Sequence, residues 1–121
     1  MINPRERGAR AETRALGFLS RQGLVLVERN FRCREGEIDL IMFARETLVF
    51  VEVRWRSHPD FGSAAESVTT KKQLRIMRAA RHFLQLHKQW RNHACRFDVI
   101  AMDGCNQAAL EWIKDAFRID H

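Results

Sequence analysis

Asp39 and Glu52 are the residues that raise a chemical question. Each sits inside an apolar, β-branched run: Gly36-Glu37-Ile38-Asp39-Leu40-Ile41-Met42-Phe43 and Leu48-Val49-Phe50-Val51-Glu52-Val53-Arg54-Trp55-Arg56. Carboxylates are depleted in strands and are seldom buried without a partner. If the two runs form a hairpin closed by the four residues Ala44 to Thr47, Phe43 faces Leu48. That register carries Asp39 opposite Glu52 and Glu37 opposite Arg54. Opposed side chains share one side of the sheet at ~5 Å, and two carboxylates so placed repel unless they share a cation or a proton. The chemistry this suggests is divalent-metal binding, with Mg²⁺ (or Mn²⁺) held by both acids. Such an ion polarises a phosphoryl oxygen and acidifies bound water. Arg54, two residues beyond Glu52, can stabilise charge building on phosphorus. The plainer alternative is an exposed hairpin with ion pairs Glu37–Arg54 and Glu35–Arg56. It accounts for Glu37 but not for Asp39 facing Glu52.

The pattern around these acids predicts the elements that position them. Residues 8–22 form a helix with Ala11, Ala15, Phe18 and Leu19 on one face and Gly23 as its stop. A strand from Leu24 to about Cys33 and the two quoted strands follow. On the third strand Val49, Val51, Val53 and Trp55 alternate onto a packed face. Phe50, Glu52, Arg54 and Arg56 share a face turned toward something charged. Ser57 to Ala65 is a loop. Ser67 or Thr69 caps a second helix running to about Trp90. Phe97–Met102 and Leu110–Lys114 are strands, with Asp103-Gly104 a turn between them. The order helix, three strands, helix, two strands predicts an α/β fold with helices flanking a central mixed sheet.

The 121 residues fit a single domain spanning 1–121. Apolar residues make up 45% and charged residues 30%, which excludes disorder and a membrane-spanning chain. Met1 to Ala15 lacks the apolar stretch of a signal peptide. Three widely spaced cysteines, Cys33, Cys95 and Cys105, suit reduced thiols, so a cytoplasmic location is expected. His87, His93, Cys95 and Cys105 do not have the paired spacing of a zinc site. The net charge is +6, and no acid occurs between Ser67 and Phe97, where Lys71, Lys72, Arg75, Arg78 and Arg81 lie. A field of one sign favours a polyanion, and nucleic acid is the commonest.

Asp39 followed by Glu52-Val53-Arg54 resembles the acid … Glu-x-Lys core of the restriction-endonuclease-like (PD-(D/E)xK) nucleases. Four blocks resemble the YraN family of uncharacterised bacterial proteins, related by prediction to archaeal Holliday-junction resolvases. They are Gly36–Ile41, Val49–Arg54, Arg96–Val99 and Glu111–Phe117. The resemblance implies a restriction-endonuclease-like core and a metal-dependent endonuclease acting on DNA phosphodiester bonds, branched or single-stranded DNA included. It implies Asp39 and Glu52 as metal ligands, Glu12 on the first helix as the residue completing the catalytic site, and a homodimer. Lys71, Lys72 and Gln73 open the second helix, where such folds touch phosphate, and Arg75 and Arg78 continue its basic face. Arg56 joins Arg54 in stabilising the transferred phosphate.

One departure is Arg54, which stands where the superfamily has lysine. Arginine stays protonated and clamps phosphate, but it is no general base. The alternative to an enzyme is therefore a non-catalytic nucleic-acid-binding or adaptor domain that keeps the fold. Trp55, Trp90 and Trp112 can stack on bases but are more often core residues. His58, near the site, can relay a proton, though a lone loop histidine is usually solvated.

Overall fold

The computed structural model describes residues 3–56, 65–103 and 109–118. His58, Pro59, Gly62 and Cys105 lie outside them. Helix α1 (Pro4–Arg21) starts four residues earlier than the apolar periodicity predicts. Asn3 caps it, accepting the Glu6 N–H at 2.8 Å, and Pro4 occupies the first turn, where its missing N–H costs nothing. Past its end, Gly23 takes the left-handed φ of 94° that favours glycine. Then come β1 (Val25–Cys33), β2 (Gly36–Ala44) and β3 (Thr47–Arg56). Helix α2 (Thr70–Leu86) follows, capped by Thr69, whose Oγ1 accepts the Lys72 N–H at 3.2 Å. It stops four residues before Trp90, and a short 3₁₀ turn (Lys88–Trp90) succeeds it. Strands β4 (Ala94–Asp103) and β5 (Ala109–Phe117) complete the chain and are longer than predicted.

The sheet order is β1-β2-β3-β4-β5. Only β3 and β4 are parallel among the neighbours, and α2 is the crossover between them. The mixed sheet between helices is the architecture expected from the order of elements.

The expected hairpin register holds, with Phe43 opposite Leu48 and Leu40 opposite Val51. Its turn is tighter than predicted. Ala44 pairs with Thr47, leaving only Arg45 and Glu46, with φ of 47° and 72°.

One expectation is corrected. The face bearing Phe50 and Glu52 is not turned outward: Phe50 is fully buried and Glu52 is 4% exposed. β3 is the middle strand, and both its faces are covered. Ala11, Ala15 and Leu19 of α1 pack with Leu40, Met42, Val49 and Val51. Ile76, Ala79, Ala80 and Phe83 of α2 pack with Ile41, Leu48, Phe50 and Phe97 on the other side. Among the described residues no helix is long and apolar enough to cross a membrane.

The strand alternation breaks where the acids lie. Ile38 belongs to the α2 side and Leu40 to the α1 side, although a regular strand puts residues two apart on one face. Across the ladder Asn30 is left-handed, at φ 57°. Arg29 reaches α1 while Phe31 packs under α2. Both strands thus change faces at Asn30 and Asp39.

The β1–β2 turn beyond this point closes down on α2. A Cβ on Gly36 would lie 3.0 Å from the Arg75 carbonyl oxygen and 3.3 Å from the Arg75 Cβ. Gly36→Ala is therefore expected to destabilise the fold by about 1–3 kcal/mol, because backbone must yield. Urea denaturation measures this, and an unchanged midpoint would contradict the close approach.

Candidate functional site

The regular β2–β3 ladder ends at Leu40 and Val51. Beyond it the Asp39 carboxylate turns toward β3 and accepts the Val53 N–H on Oδ2 at 2.8 Å. This puts it beside Glu52, as the register predicts. Burial first, and then the charge of Glu52, push the Asp39 carboxyl up to about 8, against the opposing pull of the Val53 N–H. Glu52 Oε2 lies 3.6 Å from Lys72 Nζ, which comes from the first turn of α2.

Glu12 approaches from α1. Burial and then the charge of Asp39 raise its carboxyl pKa, while Arg29 and Asn30 lower it. Arg29 Nε lies 3.6 Å from Glu12 Oε1. The same guanidinium donates through Nη2 to the Ala9 carbonyl at 3.1 Å and to Thr13 Oγ1 at 2.9 Å, fixing β1 on α1. Three acids from three elements therefore feel one another. Among the described residues no group of three His, Cys, Asp or Glu side chains converges on a single metal position. The convergent pair is Asp39 and Glu52.

The arginines of β3 are placed differently from one another. Arg54 donates through Nη2 to the Ser67 carbonyl at 3.1 Å, and its buried Nε has no partner among the described residues. An orphaned buried donor asks for an acceptor. Arg56, expected to stabilise a phosphate, lies in an ion pair. It donates to both Asp103 oxygens, at 2.7 and 2.9 Å, because parallel pairing sets the two residues side by side. Gln73 is likewise spent: its Nε2 donates to the Val68 carbonyl at 3.0 Å, closing the turn that enters α2. Lys71, Arg75 and Arg78 are exposed along that helix. Of the tryptophans, Trp55 lies under the Arg7 guanidinium, 4.2 Å from its ring centre, and Trp90 packs on Phe43 at 5.1 Å.

Comparison with known proteins agrees on one grouping. The model of the "Uncharacterised protein family UPF0102" matches residues 11–102. The chain belongs to the UPF0102 family. A UPF0102 protein of Pseudomonas putida F1 is 50% identical over 117 residues, 95% of both chains. One from Pseudomonas syringae pv. syringae B728a is 54% identical over 112 residues, 91% of both chains. One from Alcanivorax borkumensis SK2 is 52% identical over 112 residues, covering 91% of this chain and 90% of that one. The resemblance to an uncharacterised bacterial family is borne out at this level.

In this UPF0102 chain two features of the site escape the strand pattern. Lys72 is a basic side chain of the buried acid pair, not of the outer helix face, and only the docking of α2 over β3 reveals it. Arg32 on β1, paired with Glu37 at 3.4 Å, joins Lys72 and Arg75 around an open cavity of about 260 Å³. The mixed signs of the β1 residues Glu28, Arg29 and Arg32 give no sequence signal for it.

Proposed function

We propose that this UPF0102 protein is a metal-dependent endonuclease-like protein acting on DNA phosphodiester bonds. The observation that carries the proposal is the half-buried Asp39 beside the buried Glu52, with the Lys72 ammonium 3.6 Å from Glu52. At neutral pH the proton on Asp39 offsets the second acid beside Lys72, and a divalent cation can take that proton's place. The donors are hard oxygens, so Asp39 and Glu52 fit Mg²⁺ or Mn²⁺. A divalent ion held there supplies polarisation of a phosphoryl oxygen and acidification of water.

The chain's own residues supply the rest. Lys72, a basic group beside Glu52, stands where the Glu-x-Lys resemblance requires one and Arg54 cannot act as a base. The orphaned Nε of Arg54 is a donor awaiting a phosphate oxygen. Arg32 and Arg75 rim the neighbouring cavity, and Lys71 and Arg78 extend the basic surface along α2. Their contacts are to phosphate, so binding is salt-dependent and nearly indifferent to sequence. Branched or single-stranded DNA is the substrate class the resolvase resemblance favours, and a homodimer the assembly.

The second reading is a non-catalytic nucleic-acid-binding or adaptor domain. It is favoured by one observation, the absence among the described residues of a third carboxylate completing the pair. A cleavage assay with Mg²⁺ or Mn²⁺ on single-stranded, duplex, flap and four-way-junction DNA separates them. Wild type is expected to cut, and Glu52→Gln to lose about a hundredfold or more while retaining DNA binding. Binding without cutting in the wild type, on every substrate and with either metal, establishes the adaptor instead.

A further inference from the structure

At the opposite end of the β2–β3 hairpin, about 20 Å from Asp39 at ~3.3 Å per residue along β2, lies a second basic hollow. This open cavity of about 410 Å³ is lined by Arg45, Arg96, Lys114, Trp112 and Gln22 among others, and among the described residues no lining residue is acidic. Its volume falls in the range of small-ligand sites. We propose that it binds a phosphate-bearing ligand, independently of the carboxylate pair.

Charge and backbone strain carry the proposal separately. Arg45 and Lys114 have no carboxylate partner among the described residues. Lys114 is instead held over the Trp112 ring, 4.4 Å from its centre. Arg96 is anchored from below by the buried Asp98, its Nε 3.0 Å from Oδ1. Two cations without a carboxylate partner and a third fixed in position outweigh the carbonyl end of α1, which closes on the same hollow at Gln22.

The strain lies in the turn that presents Arg45. Arg45 and Glu46 are consecutive left-handed residues, at φ 47° and 72°. A two-residue hairpin turn of this kind ordinarily uses Asn-Gly, and other side chains there are strained. Strain held at a long cation lining a hollow is the mark of a functional demand. Arg45 and Lys114, which lack a carboxylate partner among the described residues, suit phosphate oxygens, Arg by its fork and Lys as a point charge. The shared chemistry is a phosphate group, borne either by a free nucleotide or by the end of a nucleic-acid strand.

The test is calorimetric titration of the full-length protein, without divalent metal, against three probes. They are inorganic pyrophosphate, a deoxynucleoside 5′-monophosphate, and an oligonucleotide with or without a 5′-phosphate. Arg45→Asn and Lys114→Ala are compared with Arg10→Ala, an exposed position on α1. Binding of at least one phosphate probe is expected to weaken about tenfold or more in the first two and to persist in the third. Arg45→Asn relieves the turn, so its melting temperature should equal or exceed that of wild type, which separates lost binding from lost folding. Preference for the mononucleotide assigns a free ligand, and dependence on the 5′-phosphate assigns a strand end. No binding of any probe, or equal weakening by Arg10→Ala, overturns the site.

Discussion

Asp39→Asn is expected to abolish metal-dependent cleavage and at the same time to raise the melting temperature at pH 8.5 by about 5 °C. The Asp39 carboxyl titrates at 3.8 when unfolded but at about 8 in the fold, chiefly through burial and then through Glu52. Between these values the folded chain holds a proton that the unfolded chain has released. Stability is therefore full below pH 4 and falls as pH rises toward and through 8. Asparagine still accepts the Val53 N–H but carries no charge, so the variant lacks that loss. Its advantage should vanish at pH 4. The same linkage makes Mg²⁺ binding compete with a proton, so wild-type stabilisation by Mg²⁺ should grow from pH 6.5 to 8.5. Thermal melts of both proteins across that range, with and without metal, measure this. A wild type no less stable at pH 8.5 than the variant would show that the acids are not in repulsive contact.

Asp98→Ala should be the most damaging substitution for folding, at about 3–5 kcal/mol. That is a large part of the ~5–15 kcal/mol available to a domain. Asp98 is fully buried. Its carboxylate accepts the Trp112 indole N–H at 3.0 Å, the Asp115 backbone N–H at 2.9 Å and Arg96 Nε at 3.0 Å. Truncation leaves the Arg96 charge and two half-buried donors without their acceptor. It also frees Asp115, held left-handed at φ 53° by one of those bonds. Urea unfolding reads the effect. A loss below about 1 kcal/mol would mean that water or repacking satisfies these groups.

Some of this is legible in the sequence, for physical reasons. The hairpin register follows from alternation, because a one-residue slip exchanges every side chain between faces. The Asp39–Glu52 encounter follows from the register. The close of the turn does not, since Arg45-Glu46 carries neither the glycine nor the asparagine that marks such turns. The start of α1 lay in Asn3-Pro4, a capping signal outside the apolar periodicity. The burial of Glu52 and the place of Lys72 depend on where the crossover helix docks. No local pattern encodes that, and the hydrophobic face of α2 fits either side of a sheet. The pairing of Arg56 is not legible because its partner, Asp103, lies 47 residues away on a parallel neighbour.

β1 forms one border of the sheet, with Val25 and Leu26 exposed. A bare border of that kind invites another chain to add a strand and polymerise. Here the bulge between Leu26 and Glu28 and the left-handed Asn30 interrupt the row of free peptide groups near the start and in the middle of the strand. No straight strand can run flush along it. The kink beside the acid pair thus also guards β1 against strand addition. A second copy that pairs with this chain must meet it through another surface.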